Sequence, residues 1–241
     1  MKGFLLKVNG MQDKKDIWRN VLMKKRMLVM VISIVMVFTF IGESPVNAKE
    51  SHWTTILKKY EKDDKVNSLI FVKYTKGSKA QVYLYKKDEK KQWKKLLSCK
   101  GYVGKRGINK KREGDKKTPT GTFTITKAFG IKSNPGAKID YLKVKKHHYW
   151  CGDRYYNRLV DVKKKPHKCR GEHLIGYKGY YDYGLFLDYN KKCKKGKGSA
   201  IFMHCTKKNP YTGGCIAVKK SNMVKIIRNI EKNTKICIYR K

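Results

Sequence analysis

The chain has 241 residues, with 59 Lys and Arg against 18 Asp and Glu, which gives a formal net charge of +41 at pH 7. With 40% hydrophobic and 12% aromatic residues it has the side chains for a buried core, so it is not a disordered polycation. The charge calls for a polyanionic partner; at 50 Lys to 9 Arg, diffuse attraction to an anionic polymer fits better than base reading, which favours the guanidinium fork.

Residues 1–22 read as an N-terminal extension, or as a mis-assigned start with Met23 as the true one, since Met23 is followed at once by Lys24, Lys25 and Arg26. Met27 to Ile41 is an apolar run broken only by Ser33 and Thr39, shorter than the roughly 20 residues of a bilayer span. With Val46-Asn47-Ala48 behind it, the segment 23–48 reads as a secretory signal cut after Ala48, or as an uncleaved anchor. Either reading puts the remainder outside the cytoplasm, at the cell wall or the outer face of the membrane, and touches the membrane only through an uncleaved segment. Removing residues 1–48 takes away eight basic and three acidic groups and leaves +36, and export of so cationic a chain argues against nucleic acid as its partner.

Residues 49–66 form a polar lead-in in which Trp53, Ile56, Leu57 and Tyr60 are spaced for one face of a short amphipathic helix. A domain follows over 67–241. Short β-rich runs cover Ser68 to Tyr74, Ala80 to Lys86, Gly121 to Phe129, Gly184 to Tyr189, Ser199 to Cys205 and Lys235 to Tyr239, with turn residues between them. Met223, Ile226, Ile227 and Ile230 place an apolar stripe on a helix with Ser221 as its N-cap. The expected fold is mainly β, a sandwich or barrel-like domain with a few short helices.

All seven cysteines fall in the exported part, and seven is odd, so one is unpaired within a monomer. Three disulfides plus one working thiol, or free cysteines throughout, both fit. No C-x-x-C pair occurs, and neither a metal nor a cofactor is expected.

Chemistry concentrates in two stretches. Ser199-Ala-Ile-Phe-Met-His204-Cys205 is a strand that delivers a histidine; a loop over Thr206 to Thr212 turns the chain; and Gly213-Gly214-Cys215 then presents a thiol after two glycines. A thiolate is the nucleophile and a neighbouring imidazole lowers the thiol pKa and takes its proton. Strand alternation sends Cys205 to the face opposite His204, which disqualifies Cys205 as nucleophile and a zinc site from His204, Cys205 and Cys215 with it. The second stretch is Glu113-Gly114-Asp115-Lys116-Lys117-Thr118-Pro119-Thr120-Gly121-Thr122-Phe123, in which Asp115 shapes a turn and Pro119 and Gly121 lead into a strand.

Together these stretches resemble the L,D-transpeptidase catalytic domain, the YkuD family, in which G-D-x-x-T-P-x-G-x-F precedes a histidine and a G-C nucleophile. Tyr149-Trp150-Cys151-Gly152-Asp153, Tyr156-Asn157-Arg158, Gly171-Glu172-His173-Leu174 and Tyr189-Asn190 agree with a divergent branch of it. The better-known members carry a second histidine two residues before the cysteine; here Thr212-Gly213-Gly214-Cys215 has Gly213 there, and the loop after the first histidine is shorter. The resemblance implies that Cys215 attacks the carbonyl of the third residue of a peptidoglycan stem peptide and releases the terminal D-amino acid. His204 acts as base, and N–H groups around Gly214 and Cys215 hold the oxyanion. A stem amine then makes a 3→3 cross-link or exchanges the terminal residue, while water gives L,D-carboxypeptidase activity. Tyr156, Asn157, Arg158 and Gly213 are the substrate-binding candidates, Arg158 for a stem carboxylate. Glu172 and His173 read as loop residues open to solvent, and His147 and His148 as surface. A non-catalytic cationic wall-binding protein is the reading from another class.

Overall fold

A computed structural model of the chain describes residues 52–207 and 209–240. The expectations for residues 1–48 lie outside them. Among the described residues no helix is long and apolar enough to cross a membrane.

The lead-in forms helix α1 (His52–Glu61), whose buried Ile56 packs with Val66, Leu69, Phe71 and Cys237. This explains why strand β1 (Ser68–Tyr74) reads as a continuous apolar run: Ile70 and Val72 face the main core while Leu69 and Phe71 meet the helix, so both faces are covered. Its hairpin partner β2 (Lys79–Lys87) alternates, with Ala80, Val82 and Leu84 inward. Strand β3 (Trp93–Tyr102) pairs with β2 and is absent from the sequence expectation, since a register shift at Leu84/Tyr85 and its paired lysines break the two-residue period.

The remaining strands are β4 (Gly121–Gly130), β5 (Tyr141–Lys143), β6 (His148–Cys151), β7 (Arg158–Asp161), β8 (Gly171–His173), β9 (Gly184–Leu187), β10 (Phe202–Cys205), β11 (Ile216–Val218) and β12 (Lys235–Tyr239). The main sheet runs β12-β1-β2-β3-β11-β10-β9-β4-β5, and β12 also pairs with β4, so eight strands close into a barrel. Closure leaves those strands without a free edge. Strand β4 is long enough to make it possible: its first four residues pair with β12 and the rest with β9 and β5. Helix α2 (Lys220–Asn229) follows β11 and sends Met223, Ile226 and Ile227 into the barrel core. Lys219, not Ser221, is its N-cap and no side chain caps it; Ser221 already lies in the first turn.

Outside the barrel, Phe129, Phe186 and Phe202 form an aromatic layer from β4, β9 and β10, with Phe129 stacked on Phe186 at 4.1 Å between ring centres. A three-stranded sheet, β7-β6-β8, lies over it and contributes Trp150 and Leu159.

Candidate active site

Strands β10 and β11 pair in parallel, Met203 opposite Ile216 and His204 opposite Ala217. The loop between them therefore carries the chain back to the starting level, a correction to the simple reversal expected from the sequence. One step before the Met203–Ile216 pair, Cys215 stands beside Phe202. Period-two alternation then puts Phe202, His204 and Cys215 on one face and Met203 and Cys205 on the other, in the barrel core. With strands about 4.8 Å apart and about 6.6 Å between residues i and i+2, His204 and Cys215 are diagonal neighbours about 8 Å apart at Cα.

The His204 ring is buried and edged by Tyr181, with ring centres 5.4 Å apart. Its Nδ1 meets the Cys205 carbonyl at 2.9 Å; a carbonyl only accepts, so Nδ1 carries the hydrogen and Nε2 is the bare nitrogen. Burial pushes the imidazole pKa down to about 4, against a smaller upward pull from that bond. The Cys215 sulfur accepts from the Phe202 N–H at 3.3 Å and the thiol donates to the Ala200 carbonyl at 3.1 Å. Burial pushes the thiol up to about 12, the Glu172 carboxylate adds to this, and the Phe202 N–H and Lys110 oppose it. The resting pair is thus neutral thiol and neutral imidazole, contrary to the expectation that the histidine lowers the thiol pKa: both groups are desolvated, so separating charge between them is costly.

Both sequence motifs end on one atom. The Cys215 carbonyl accepts from Thr212 Oγ1 at 2.6 Å and from Thr118 Oγ1 at 3.2 Å, which joins the T-G-G-C stretch to the T-P-x-G stretch. Thr212 Oγ1 also accepts the Gly214 N–H at 3.1 Å, and Thr118 Oγ1 the Gly104 N–H at 2.8 Å. The Gly214 N–H assigned to the oxyanion is thereby held by Thr212. Gly214 has φ +152°, and a Cβ there would come within 2.9 Å of the Lys117 carbonyl, so the close approach requires glycine. Asp115 collects the turn ahead of Thr118: it accepts from the N–H groups of Lys111, Arg112 and Lys117 and pairs with Lys110 Nζ at 2.9 Å. Burial alone would raise its pKa, but these bonds hold it well below the usual carboxylate range.

Cys215, His204, Gly213 and Gly214 line one pocket of ≈ 480 Å³. At Gly213 a Cβ would meet nothing within 4 Å, so the position where better-known members have a histidine is open space. Tyr156, Asn157 and Arg158 do not line it. Tyr156 is buried, donating to Glu113 Oε2 at 2.9 Å and accepting the Gly198 N–H at 3.1 Å. Asn157, also buried and at φ +58°, accepts from Trp150 Nε1 and the Ala200 N–H and donates to the carbonyls of Tyr189 and Asn190. It braces Ala200, itself at φ +56°, whose carbonyl holds the thiol. Arg158 is exposed and lines a separate depression with Trp150 and Leu159. Asn157 reaches the edge of the same depression, from the residue just before β7 begins at Arg158.

The structure adds to the pocket residues the sequence reading passed over. Glu172 is there rather than in solvent: Oε2 accepts from Tyr181 OH at 2.5 Å, and burial raises the carboxyl pKa. Tyr177, Tyr180 and Tyr211 supply apolar wall, and Lys105, Lys110 and Lys116 face Glu113 and Glu172 in a lining of mixed charge. Glu172 and Lys116 lie in stretches the sequence had singled out, and the tyrosine-rich run between Tyr177 and Tyr183 was the signal for Tyr177 and Tyr180.

A barrel that carries a thiol and an unprotonated imidazole in one pocket, with cations at its wall, is equipped for acyl transfer. The chain belongs to the L,D-transpeptidase catalytic domain family, YkuD, which matches residues 67–238. That family acts on peptidoglycan peptides. No curated protein matches the chain. Among solved structures it is similar to the crystal structure of an L,D-transpeptidase from Stackebrandtia nassauensis, at 10% identity and a TM-score of 0.36, over 78% of this chain and 67% of that one.

Proposed function

We propose that the protein is an exported L,D-transpeptidase that works through a Cys215 thioester on peptidoglycan stem peptides. The observation that carries the reading is the placement of Cys215 and His204 on one face of adjacent parallel strands, with Nε2 as the bare ring nitrogen. The thiol proton passes from sulfur to Nε2 as sulfur attacks the carbonyl carbon of the third stem residue. Collapse of the tetrahedral adduct breaks the peptide bond, and the departing D-amino acid takes that proton on its nitrogen. A stem amine attacks the thioester, gives its proton to Nε2, and leaves a 3→3 amide with the thiol restored; a free D-amino acid in its place gives exchange. Because both groups start neutral, charge develops only as sulfur attacks and the proton moves to Nε2.

Lys105 and Lys116 suit the carboxylate that ends a stem peptide, Lys110 being paired with Asp115, and the basic excess, +36 without residues 1–48, suits an anionic wall polymer around it. Incubation of the protein with purified disaccharide-tetrapeptide, read by mass spectrometry, tests the reading: cross-linked dimer with released D-amino acid supports it. Release without dimer makes the protein an L,D-carboxypeptidase. Wall binding with neither product replaces both with the non-catalytic reading.

A further inference from the structure

The small sheet over the aromatic layer carries a second cluster of reactive side chains, remote in role from the Cys215 pocket. Cys151, Asp153, His167 and Cys169 each offer one ligand atom, and these atoms lie within 4.8 Å of one another. In sequence they are two pairs of the form C-x-D and H-x-C, each held in a tight local bend: the chain turns at Gly152 and Asp153 just after β6, and the Cys169 N–H donates to the His167 carbonyl at 3.0 Å. Strands β6 and β8 bring the pairs together: Cys151 stands opposite Gly171, and the Gly152 N–H donates to the Arg170 carbonyl at 2.7 Å. Two glycines permit this approach. A Cβ on Gly152 would sit 2.4 Å from the Arg170 carbonyl, and one on Gly171 2.3 Å from that of Trp150.

We propose that these four residues bind one zinc ion, through Cys151 Sγ, Cys169 Sγ, His167 Nε2 and Asp153 Oδ1. The donors already converge: Asp153 Oδ1 takes the Cys151 thiol at 2.7 Å and meets His167 Nε2 at 2.9 Å. Asp153 is itself aimed by the N–H groups of Arg154 and Arg170, at 2.8 and 3.0 Å. Tetrahedral zinc with sulfur at about 2.3 Å and nitrogen or oxygen at about 2.1 Å needs ligand separations of about 3.4–3.8 Å, within the reach of small side-chain rotations from this arrangement. Two sulfurs disfavour calcium and magnesium, and a mixed sulfur, nitrogen and oxygen set suits zinc. Binding releases the two thiol protons to solvent and leaves a centre of net charge −1, which the flanking Arg154, Lys168 and Arg170 offset. A Cys151–Cys169 disulfide is the competing use of the sulfurs, but it gives no role to the convergence of His167 and Asp153 on the same point.

The site has a structural task. Strands β6, β7 and β8 have only three or four residues each, too few to hold a sheet by their own pairing. A metal at their end staples β6 to β8, and β8 carries Glu172 into the Cys215 pocket. The test uses the full chain purified without chelator, with metal measured by mass spectrometry and with cobalt substituted for spectroscopy. About one zinc per chain and a cobalt spectrum showing thiolate charge transfer with tetrahedral d–d bands are expected. Cys169→Ser and His167→Ala should each lower metal affinity by at least about tenfold, while Cys193→Ser keeps it. If a variant does not fold, alkylation of the wild type decides: zinc should protect Cys151 and Cys169 specifically. No bound metal in the wild type, equal alkylation of those two thiols with and without zinc, full metal retention in both variants, or a mapped Cys151–Cys169 disulfide in protein purified without reductant each overturns the proposal.

Discussion

Cys215 stands level with Phe202 across a parallel strand pair, and the Phe202 N–H meets its sulfur at 3.3 Å. A backbone donor from the strand that also carries His204 thus ties the thiol to the histidine's own element. Any shift of β11 against β10 moves both the bond and the diagonal distance to the imidazole.

Cys215→Ala should abolish transpeptidation and leave the fold intact, because its thiol sits at a pocket and its removal deletes one small group. Cys205→Ala should keep turnover and lose about 1 kcal/mol of stability, as expected for a small fully buried side chain in the barrel core. Muropeptide analysis and urea denaturation of the two variants check this; an active Cys215→Ala would remove the thioester reading.

His204 should make stability fall with acid. Its folded pKa of about 4 lies below the ordinary 6.5, so its contribution is complete above pH 6.5 and is lost as pH drops from there towards 4, where only the unfolded chain takes the proton. At about 1.4 kcal/mol per pKa unit the loss is of order 3 kcal/mol. His204→Asn should flatten that slope in denaturation curves at pH 7 and pH 5; an unchanged slope would contradict the buried neutral imidazole.

Thr212→Val should destabilise the domain by about 1–3 kcal/mol, because it leaves the Gly214 N–H unpaired and takes one of two donors from the Cys215 carbonyl. Thr212→Ser keeps the hydroxyl and should recover most of the loss. Thermal melts of both variants, with kcat measured alongside, distinguish a bonding role from a methyl packing role.

Wall association should weaken steeply with salt, since exposed lysines are screened over about 8 Å at physiological ionic strength. About 0.5 M salt should release the protein from isolated walls while kcat on a soluble stem peptide changes less than about threefold, because the Cys215 and His204 steps act at hydrogen-bond range. Sedimentation with walls across a salt series measures the first, and peptide turnover the second; binding indifferent to salt would point to a shaped groove instead.

Strands with a clear run were legible in the sequence, β1 and β12 to the residue. Those of the small sheet were not, since three or four residues carry too little period to recognise. Asn157 shows the same limit in the site: its place in the Tyr156-Asn157-Arg158 run marked it for substrate, but its side-chain amide is taken up by three backbone groups, of Tyr189, Asn190 and Ala200, and by the Trp150 indole. Glu172 looked like a loop residue because its partner, Tyr181, is brought to it by packing rather than by spacing.

What the sequence determined by itself is local: the mainly β content, the apolar stripe of α2, and the opposite facing of His204 and Cys205, all of which follow from side-chain period along one element. Which elements meet is a matter of long-range pairing, and only the tertiary structure decides it. The parallel register of β10 and β11, the meeting of Thr118 and Thr212 on the Cys215 carbonyl, and the desolvation that keeps thiol and imidazole neutral all arise there. Burial and hydrogen-bond partners are properties of the assembled barrel, so no spacing along the chain encodes them.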